Sequence, residues 1–427
     1  MSIVRRAIVL VAAFAILAAH AQTTKSLKPE GDRRWYKGNT HTHTLWSDGD
    51  AAPELAVDWY KERDYDFLSI TDHNVMLRGE KLFIAGEKTR LTAERLAQLK
   101  EKFGDDWVET SEAGGETVMR LKTYEELRKR FEEPGKFILI EGEEITAKAH
   151  VNGLNIRDKI PQSKADTTEG VVREHVHAVD EQSRQHNAPM LAHVNHPNWG
   201  DYGVPPEDLI AVDTSRFFEV YNGHGGVKNW GDEKLHRVNT DRYWDIVLAV
   251  RLAENPENIL YGVATDDAHD YFVRGAGHSI PGRGWCMVLA ENLEADSIME
   301  AFNRGDFYAS SGVLLNAIEW DEKEYRVTID AEHDVPYKTI FYGTRKGADL
   351  SSKPTLDENG VEIPSTPRQY SADIGVVLAE SHTNPAVYAF KGDEMYVRAK
   401  VVSSKLKADP FKEGDFEMAW TQPAVRR

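Results

Sequence analysis

Residues 38–50 read GNTHTHTLWSDGD, and this stretch decides what kind of fold the chain has. Side chains at i and i+2 on a strand point the same way, so His41 and His43 can grip one cation together. Asp48 follows in the loop after the strand. Taken alone, His-Thr-His is also the ordinary polar face of an edge strand. The rest of the chain has to decide between a wet edge and a metal site.

Outward from this stretch, short β-rich runs alternate with longer helical ones from residue 33 to about 312. That is the signature of an α/β barrel or a doubly wound sheet. The spacing predicts strands at Trp35–His41, Phe67–Thr71, Phe137–Glu141, Val151–Ile156, Met190–His193, Phe217–Tyr221, Ile259–Ala264 and Trp285–Leu289. Helices are expected at Ala52–Arg63, Ala93–Phe103, Tyr124–Phe131, Glu169–Gln185, Glu233–Leu252 and Asp296–Arg304. Thr123 with Glu126 is a capping pair for the third of these. Residues 76–135 are too long for an ordinary connection. They read as a charged, helical insertion with a soft centre at Ser111–Gly115, either a substrate lid or a solvated decoration. From 318 to 427 the runs shorten and alternate between Pro, Gly and Ser clusters, as in a small all-β, sandwich-like domain.

Acids and histidines recur at the ends of the predicted strands. His41, His43 and Asp48 end the first; Asp72 and His73 the second; Glu141, Glu143 and Glu144 the third, with His150 next. His193 and His196 end the fifth, Glu219, Asn222 and His224 the sixth, and Asp266, Asp267 and His269 the seventh. In a parallel barrel these ends share one face, so ligands far apart in sequence meet in space. Imidazole nitrogens and carboxylates suit Zn, Mn or Fe, and clustered cations lower the pKa of bound water to about 7.

The ordered set HTH…SDG, TDH, GEE followed by His, NHP and DDAH resembles the PHP superfamily, named for polymerase and histidinol phosphatase. The layout further resembles the exported carbaryl hydrolase branch, through NHPNW at 195–199, PGRGWC at 281–286, AFNRGDFYASSG at 301–312 and YVRAK…AWTQPAV near the C-terminus. The resemblance implies a distorted (β/α)7 barrel spanning 33–315 with two or three divalent metal ions at one end. One metal would take His41, His43, Glu144 and Asp267. A second would take Asp48, His73 and His196. A third would share Glu144 and add His150 and His269. The family spacing favours Glu144 over Glu143 and His196 over His193.

The implied chemistry is hydrolysis of an ester-type bond by a hydroxide bridging two metals. Asp72 and Asp266 are candidates to orient the ligating histidines, or else capping residues. His224 is a candidate proton donor, or a plain loop histidine. Arg274 and Arg283 are candidate substrate contacts, since an arginine fork suits phosphate, or else solvated surface. Phosphoester is ranked first and carbamate or carboxylic ester second. A non-catalytic periplasmic metal- or ligand-binding protein is the rival from another class.

Composition bounds the partners. A formal charge of −18 over 427 residues opposes nucleic-acid binding and adhesion to anionic membranes. Residues 1–21 read as a secretory signal peptide, with Arg5 and Arg6 before the apolar run Ala7–Ala19 and small residues at Ala19 and Ala21. The alternative is a retained anchor. The sole cysteine, Cys286, excludes an internal disulfide. The expectation is an exported, periplasmic or extracellular enzyme without a stable membrane anchor, acting on a small-molecule ester.

Overall fold

The computed structural model describes residues 24–363 and 366–426, so the export signal read on 1–21 lies outside the described residues. Among those described, no helix is long and apolar enough to cross a membrane.

Seven strands lead to the histidines and acids, and an eighth extends their sheet. They are β1 (Arg34–Asn39), β2 (Phe67–Ile70), β3 (Ile138–Thr146), β4 (His150–Leu154), β5 (Leu191–Val194), β6 (Phe217–Asn222), β7 (Tyr261–Thr265) and β8 (Trp285–Ala290). Each falls on a run expected from the sequence. Their hydrogen-bonded order is β7-β6-β5-β4-β3-β2-β1-β8. β1, β2 and β3 are mutually parallel, as are β5, β6 and β7.

The mixed α/β fold expected from the sequence is present, and it departs from a closed parallel barrel in two respects. β4 runs antiparallel to both neighbours and β8 antiparallel to β1. Residues 147–149 alone join β3 to β4, whereas a parallel return needs a crossover of about a dozen residues. His150 therefore starts its strand rather than ending one, yet it reaches the same face through the hairpin. The ladder is also open between β7 and β8. Its two sides meet at the rim, where Asp267 N–H donates to the His41 carbonyl (3.0 Å) and His43 N–H to that of Ala268 (2.9 Å). Lower down, the Gln422 side chain accepts from Gly262 N–H (3.0 Å) and donates to its carbonyl (2.8 Å). A glutamine thus covers an edge that would otherwise invite another strand.

The helices follow from local chemistry. α1 (Pro53–Lys61) begins at a proline with fixed φ and buries Ala56, Val57 and Tyr60 on one face. In the insertion, α2 (Ala93–Phe103) is capped by Thr92, and α3 (Tyr124–Phe131) has the full capping box of Thr123 and Glu126. α4 (Thr168–His186) is capped by Thr167 and ends at Asn187 in the left-handed conformation. α5 (Pro206–Ala211) is a short helix the sequence did not announce, and α6 (Thr240–Glu254) begins at its Asn239 cap, so 233–239 is not helical. α7 is Ala295–Asn303. The insertion is not all helical either. Strands Leu82–Ile84, Thr110–Ala113 and Glu116–Arg120 form a small sheet. The soft centre is the turn of a hairpin, where Gly114 and Gly115 take φ of 64° and 84°, angles costly for any residue with a Cβ.

The second half is joined to the first by backbone. Strand Phe416–Thr421 pairs with Phe307–Ser310, which pairs with β8, so the central sheet continues into Glu394–Leu406, Tyr337–Arg345 and Val376–Ser381. Facing it is a four-stranded sheet of Lys25–Leu27, Leu315–Trp320, Glu324–Ile329 and Ala386–Ala389. Tyr308, Tyr325, Phe341 and Val397 fill the space between the two sheets. Arg398 is fully buried and holds α6 to this layer, with Nε and Nη2 at 2.9 and 2.7 Å from the Asp245 carboxylate and Nη1 3.1 Å from Asp241.

Candidate metal centre

The rim gathers what the sequence scattered. His41 and His43 leave β1 on the same side, with Thr42 between them hydrogen-bonded to the opposite side at Tyr60. Glu144 faces them from β3, and Asp267 comes from the turn after β7. His41 Nε2 lies 3.1 Å from His43 Nε2, 3.4 Å from Glu144 Oε2 and 3.3 Å from Asp267 Oδ1. His43 Nε2 lies 3.2 Å from both of those oxygens. Four donors about 2.0–2.1 Å from one ion in tetrahedral array sit about 3.3–3.4 Å apart. Five of the quartet's six edges lie close to that spacing, and His41, His43 and Asp267 are near enough together to hold one ion.

Two further groups adjoin this quartet. Asp48, His73 and His269 come together with His43, His269 Nε2 being 3.2 Å and His73 Nε2 3.6 Å from the Asp48 carboxylate. Glu144, His150 and His73 form the other, with His150 Nδ1 2.9 Å from Glu144 Oε1 and His73 Nδ1 2.8 Å from Oε2. His196 joins this last side, its Nε2 3.3 Å from Glu144 Oε1 and its ring 4.9 Å from that of His150. The sequence-based sharing of ligands is therefore redrawn. His269, not His196, accompanies Asp48 and His73, whereas His196, not His269, accompanies Glu144 and His150. His269 follows Asp267 by two residues, but the turn swings its ring 4.1 Å over His43, toward the Asp48 loop. His196 and Asp267 both take positive φ, 27° and 49°, a strain that persists where surrounding contacts fix the backbone.

Electrostatics and orphaned atoms fit bound cations. Burial opposes charge on every member. Even so, Asp267, Glu144 and Glu219 hold the His41 pKa well above the ordinary imidazole range. Burial is likewise outweighed at Glu144, which His73, His41 and His150 hold well below the carboxylate range, and at Asp267, held down by His41 and His43. For His73, burial is overcome by Glu144 and Asp48, and the pKa rises to about 11. Without a cation, the acids make protons occupy nitrogens whose lone pairs a metal would use. His150 Nε2 and His196 Nδ1 are buried with no hydrogen-bond partner. The residues fit bound metal ions.

Supporting residues differ from those expected. Asp72 accepts from Thr44 N–H (2.8 Å), Thr44 Oγ1 (2.7 Å) and Ser47 Oγ (2.5 Å), so it shapes the loop leading to Asp48 and touches no ligating imidazole. Asp266 accepts from Tyr60 (2.9 Å) and from the backbone N–H of Gly282, Arg283 and Gly284 (2.8, 2.6 and 2.8 Å), fixing another loop. The carboxylate behind the ligands is Glu219. Its Oε1 is 2.6 Å from His41 Nδ1 and accepts from Thr265 (2.8 Å), while Oε2 accepts from His196 N–H (2.6 Å) and Asn222 (2.7 Å). Asn195 donates to Glu144 Oε1 at 2.8 Å. The sequence signal for Glu219 was its place in FFEVYN, one acid among several at strand ends.

The remaining candidates sort cleanly. Glu143 turns away from the cluster, accepts from Ile160 N–H (2.5 Å), and burial raises its pKa to about 7. His193 lies fully buried under the rim, its Nδ1 3.9 Å from Glu219, and burial lowers its pKa to about 4. Arg283 is buried and spends its guanidinium on carbonyls of Gly223 (2.8 Å), Gly275 (2.9 Å), Pro410 (2.9 Å), Asp409 (3.3 Å) and His278, which leaves no fork for a substrate. Arg274 pairs with Asp409 at 2.9 Å. His224 does sit at the rim, 5.2 Å ring to ring from His269 and 4.5 Å from Trp199. Its Nδ1 accepts from Gly226 N–H (3.0 Å), and burial lowers its pKa to about 4. Tyr202 lies 4.4 Å from the His150 ring, so aromatic side chains flank this side of the centre.

No family model and no curated protein matches the chain. Among solved structures it is similar to a two-domain protein from Bacteroides vulgatus containing a predicted PHP-like metal-dependent phosphoesterase. The identity is 14% and the TM-score 0.39, over 93% of this chain and 96% of that one. It is also similar to a protein from Bifidobacterium adolescentis to which metal-dependent phosphoesterase activity is ascribed, at 13% identity and a TM-score of 0.30, over 62% of this chain and 94% of that one.

Proposed function

We propose that this protein is a metal-dependent hydrolase of ester-type bonds, with phosphoesters as the first substrate class. The observation that carries the proposal is the buried quartet His41, His43, Glu144 and Asp267, five of whose six edges are 3.1–3.4 Å. Two flanking groups sharing His43, His73 and Glu144 support a multinuclear reading of the centre. Divalent ions held by these residues would supply an activated water and neutralise charge developing on the scissile group. Glu219 and Asn195 hold His41 and Glu144 in place. The Gly226 N–H bonded to His224 Nδ1 leaves the hydrogen of the neutral ring on Nε2, where it can donate a hydrogen bond to a substrate oxygen.

Phosphoester stands first because several cations in one pocket favour an anionic substrate, and not because of Arg274 or Arg283. A carbamate or carboxylic ester is the second reading, favoured by the Trp199 and Tyr202 wall beside His196 and His150. The proposal extends to export and to a small-molecule substrate, on the residue 1–21 pattern and the charge of −18.

The test is elemental analysis of the purified chain beside assays of aryl phosphate, aryl carbamate and aryl acetate. Mn or Zn is added back after chelation. Two or more ions per chain are expected, with turnover of the phosphate that chelation abolishes. His41→Ala, Asp48→Ala and Glu144→Ala should each lower metal content and rate. Turnover of the carboxylic esters alone would reverse the ranking. Tight metal with no turnover of any ester would leave a non-catalytic binding protein.

A further inference from the structure

We infer that the insertion is a clamp that sets the affinity of the Asp48–His73–His269 group for a divalent cation, acting through Arg90, Arg95 and Lys81 as positioning residues. The inference rests on the metal-centre reading above.

Asp48 is the most exposed of the proposed ligands and comes from the loop between β1 and α1. Its side chain is 40% exposed, whereas those of His41, His43, Glu144 and Asp267 are at most 3% exposed. Strand ends hold the quartet, whereas the Asp48 loop is held from the sheet side through the Asp72 side chain. The loop is tight, because a Cβ at Gly49 would fall 2.5 Å from the His43 carbonyl oxygen. From inside, Asp72 grips Thr44 and Ser47.

From outside, the insertion holds nearly every neighbour of Asp48. Trp46 is buried among Leu77, Leu91, Leu99 and Met119, and its indole N–H donates to the Lys122 carbonyl (2.9 Å). Lys81 Nζ donates to the Trp46 carbonyl. Arg90 Nη1 donates to the Ser47 carbonyl at 3.3 Å. Arg95 Nη2 lies 3.2 Å from the Asp50 carboxylate, and its guanidinium stacks 4.1 Å over Phe272.

Asp50 extends the grip to a second ligand. Its backbone N–H donates to the His269 carbonyl (2.8 Å), and its carboxylate accepts from Tyr271 N–H (2.8 Å). Arg95 therefore braces both segments that bring Asp48 and His269 to one cation. The insertion is a wall built against this group. Loosening it should weaken one site and spare the quartet.

The test compares wild type with Arg90→Ala/Arg95→Ala, both residues at or near the surface. Each protein is loaded with Zn, dialysed against graded chelator and analysed for metal per chain, with circular dichroism melts alongside. The double variant should release one equivalent at about ten- to hundredfold higher free Zn, the range for losing an outer contact of a ligand. The remaining metal should track wild type. Arg90→Lys/Arg95→Lys should recover part of the loss, and Lys129→Ala on the outer face of the insertion should match wild type. If the double variant does not fold, Arg90→Ala alone is expected to shift the same equivalent in the same direction. Superimposed titrations, or all equivalents weakening together, overturn the clamp while leaving the metal centre standing. A wild-type chain that holds no metal overturns both.

Discussion

Glu219→Gln is the most discriminating single change. Glu219 is fully buried, and both its oxygens only accept, from His41 Nδ1 and Thr265 at Oε1 and from His196 N–H and Asn222 at Oε2. A glutamine has one accepting oxygen. With its NH2 turned toward Thr265, whose hydroxyl can also accept, the amide still loses the hydrogen bond from His41 Nδ1. An unsatisfied buried donor costs about 1–3 kcal/mol, so the metal-free chain should lose about 1–3 kcal/mol. The loss of charge matters separately. A carboxylate behind an imidazole raises its basicity, and its removal costs about 10–100-fold in metal affinity. Chelator competition followed by elemental analysis measures this, with urea denaturation of the metal-free chain alongside. Weakening should centre on the ion held by His41 and His43, with the Asp48 group retained. An affinity within twofold of wild type for every ion would refute the assignment of Glu219 as the residue that orients His41.

Two further outcomes follow from buried charges away from the centre. Burial raises the Glu54 pKa to about 7, whereas in the unfolded chain it lies near 4.3. Being raised on folding, it contributes no penalty below about pH 4 and an increasing one as pH climbs through 7. Glu54→Gln should therefore match wild type near pH 4.5 and exceed it by up to about 3 kcal/mol at pH 8, as read by urea denaturation at the two pH values; equal differences at both would refute it. Arg398→Met leaves Asp245 buried without its partner, a loss of about 3–5 kcal/mol. One cooperative urea transition shifted as a whole is expected, whereas two separate transitions would show that the continuous sheet does not couple the two halves.

Much of the centre was legible from the sequence, because strand periodicity is short-range. His41 and His43 share a face because they are two residues apart, and Glu144 rather than Glu143 faces them because neighbours on a strand oppose. GEE and DDAH at strand ends located the acids, while the choice of His41, His43, Glu144 and Asp267 as a set came from the family resemblance. The even spacing of apolar runs located all eight strands, since each must bury its side chains locally. What the sequence could not carry was anything that depends on how distant segments meet. The direction of β4, the exchange of His196 and His269 between groups, and the glutamine that covers β7 depend on hairpin length, turn geometry and residues up to 160 positions away. Arg283 looked like a substrate fork because the carbonyls that occupy it include those of residues 409 and 410, which no local pattern places there. Ligand chemistry is written in residue type and spacing. Partnership, orientation and the spending of a buried charge belong to the tertiary structure, because hydrogen bonds are satisfied by whatever the fold brings within 3 Å.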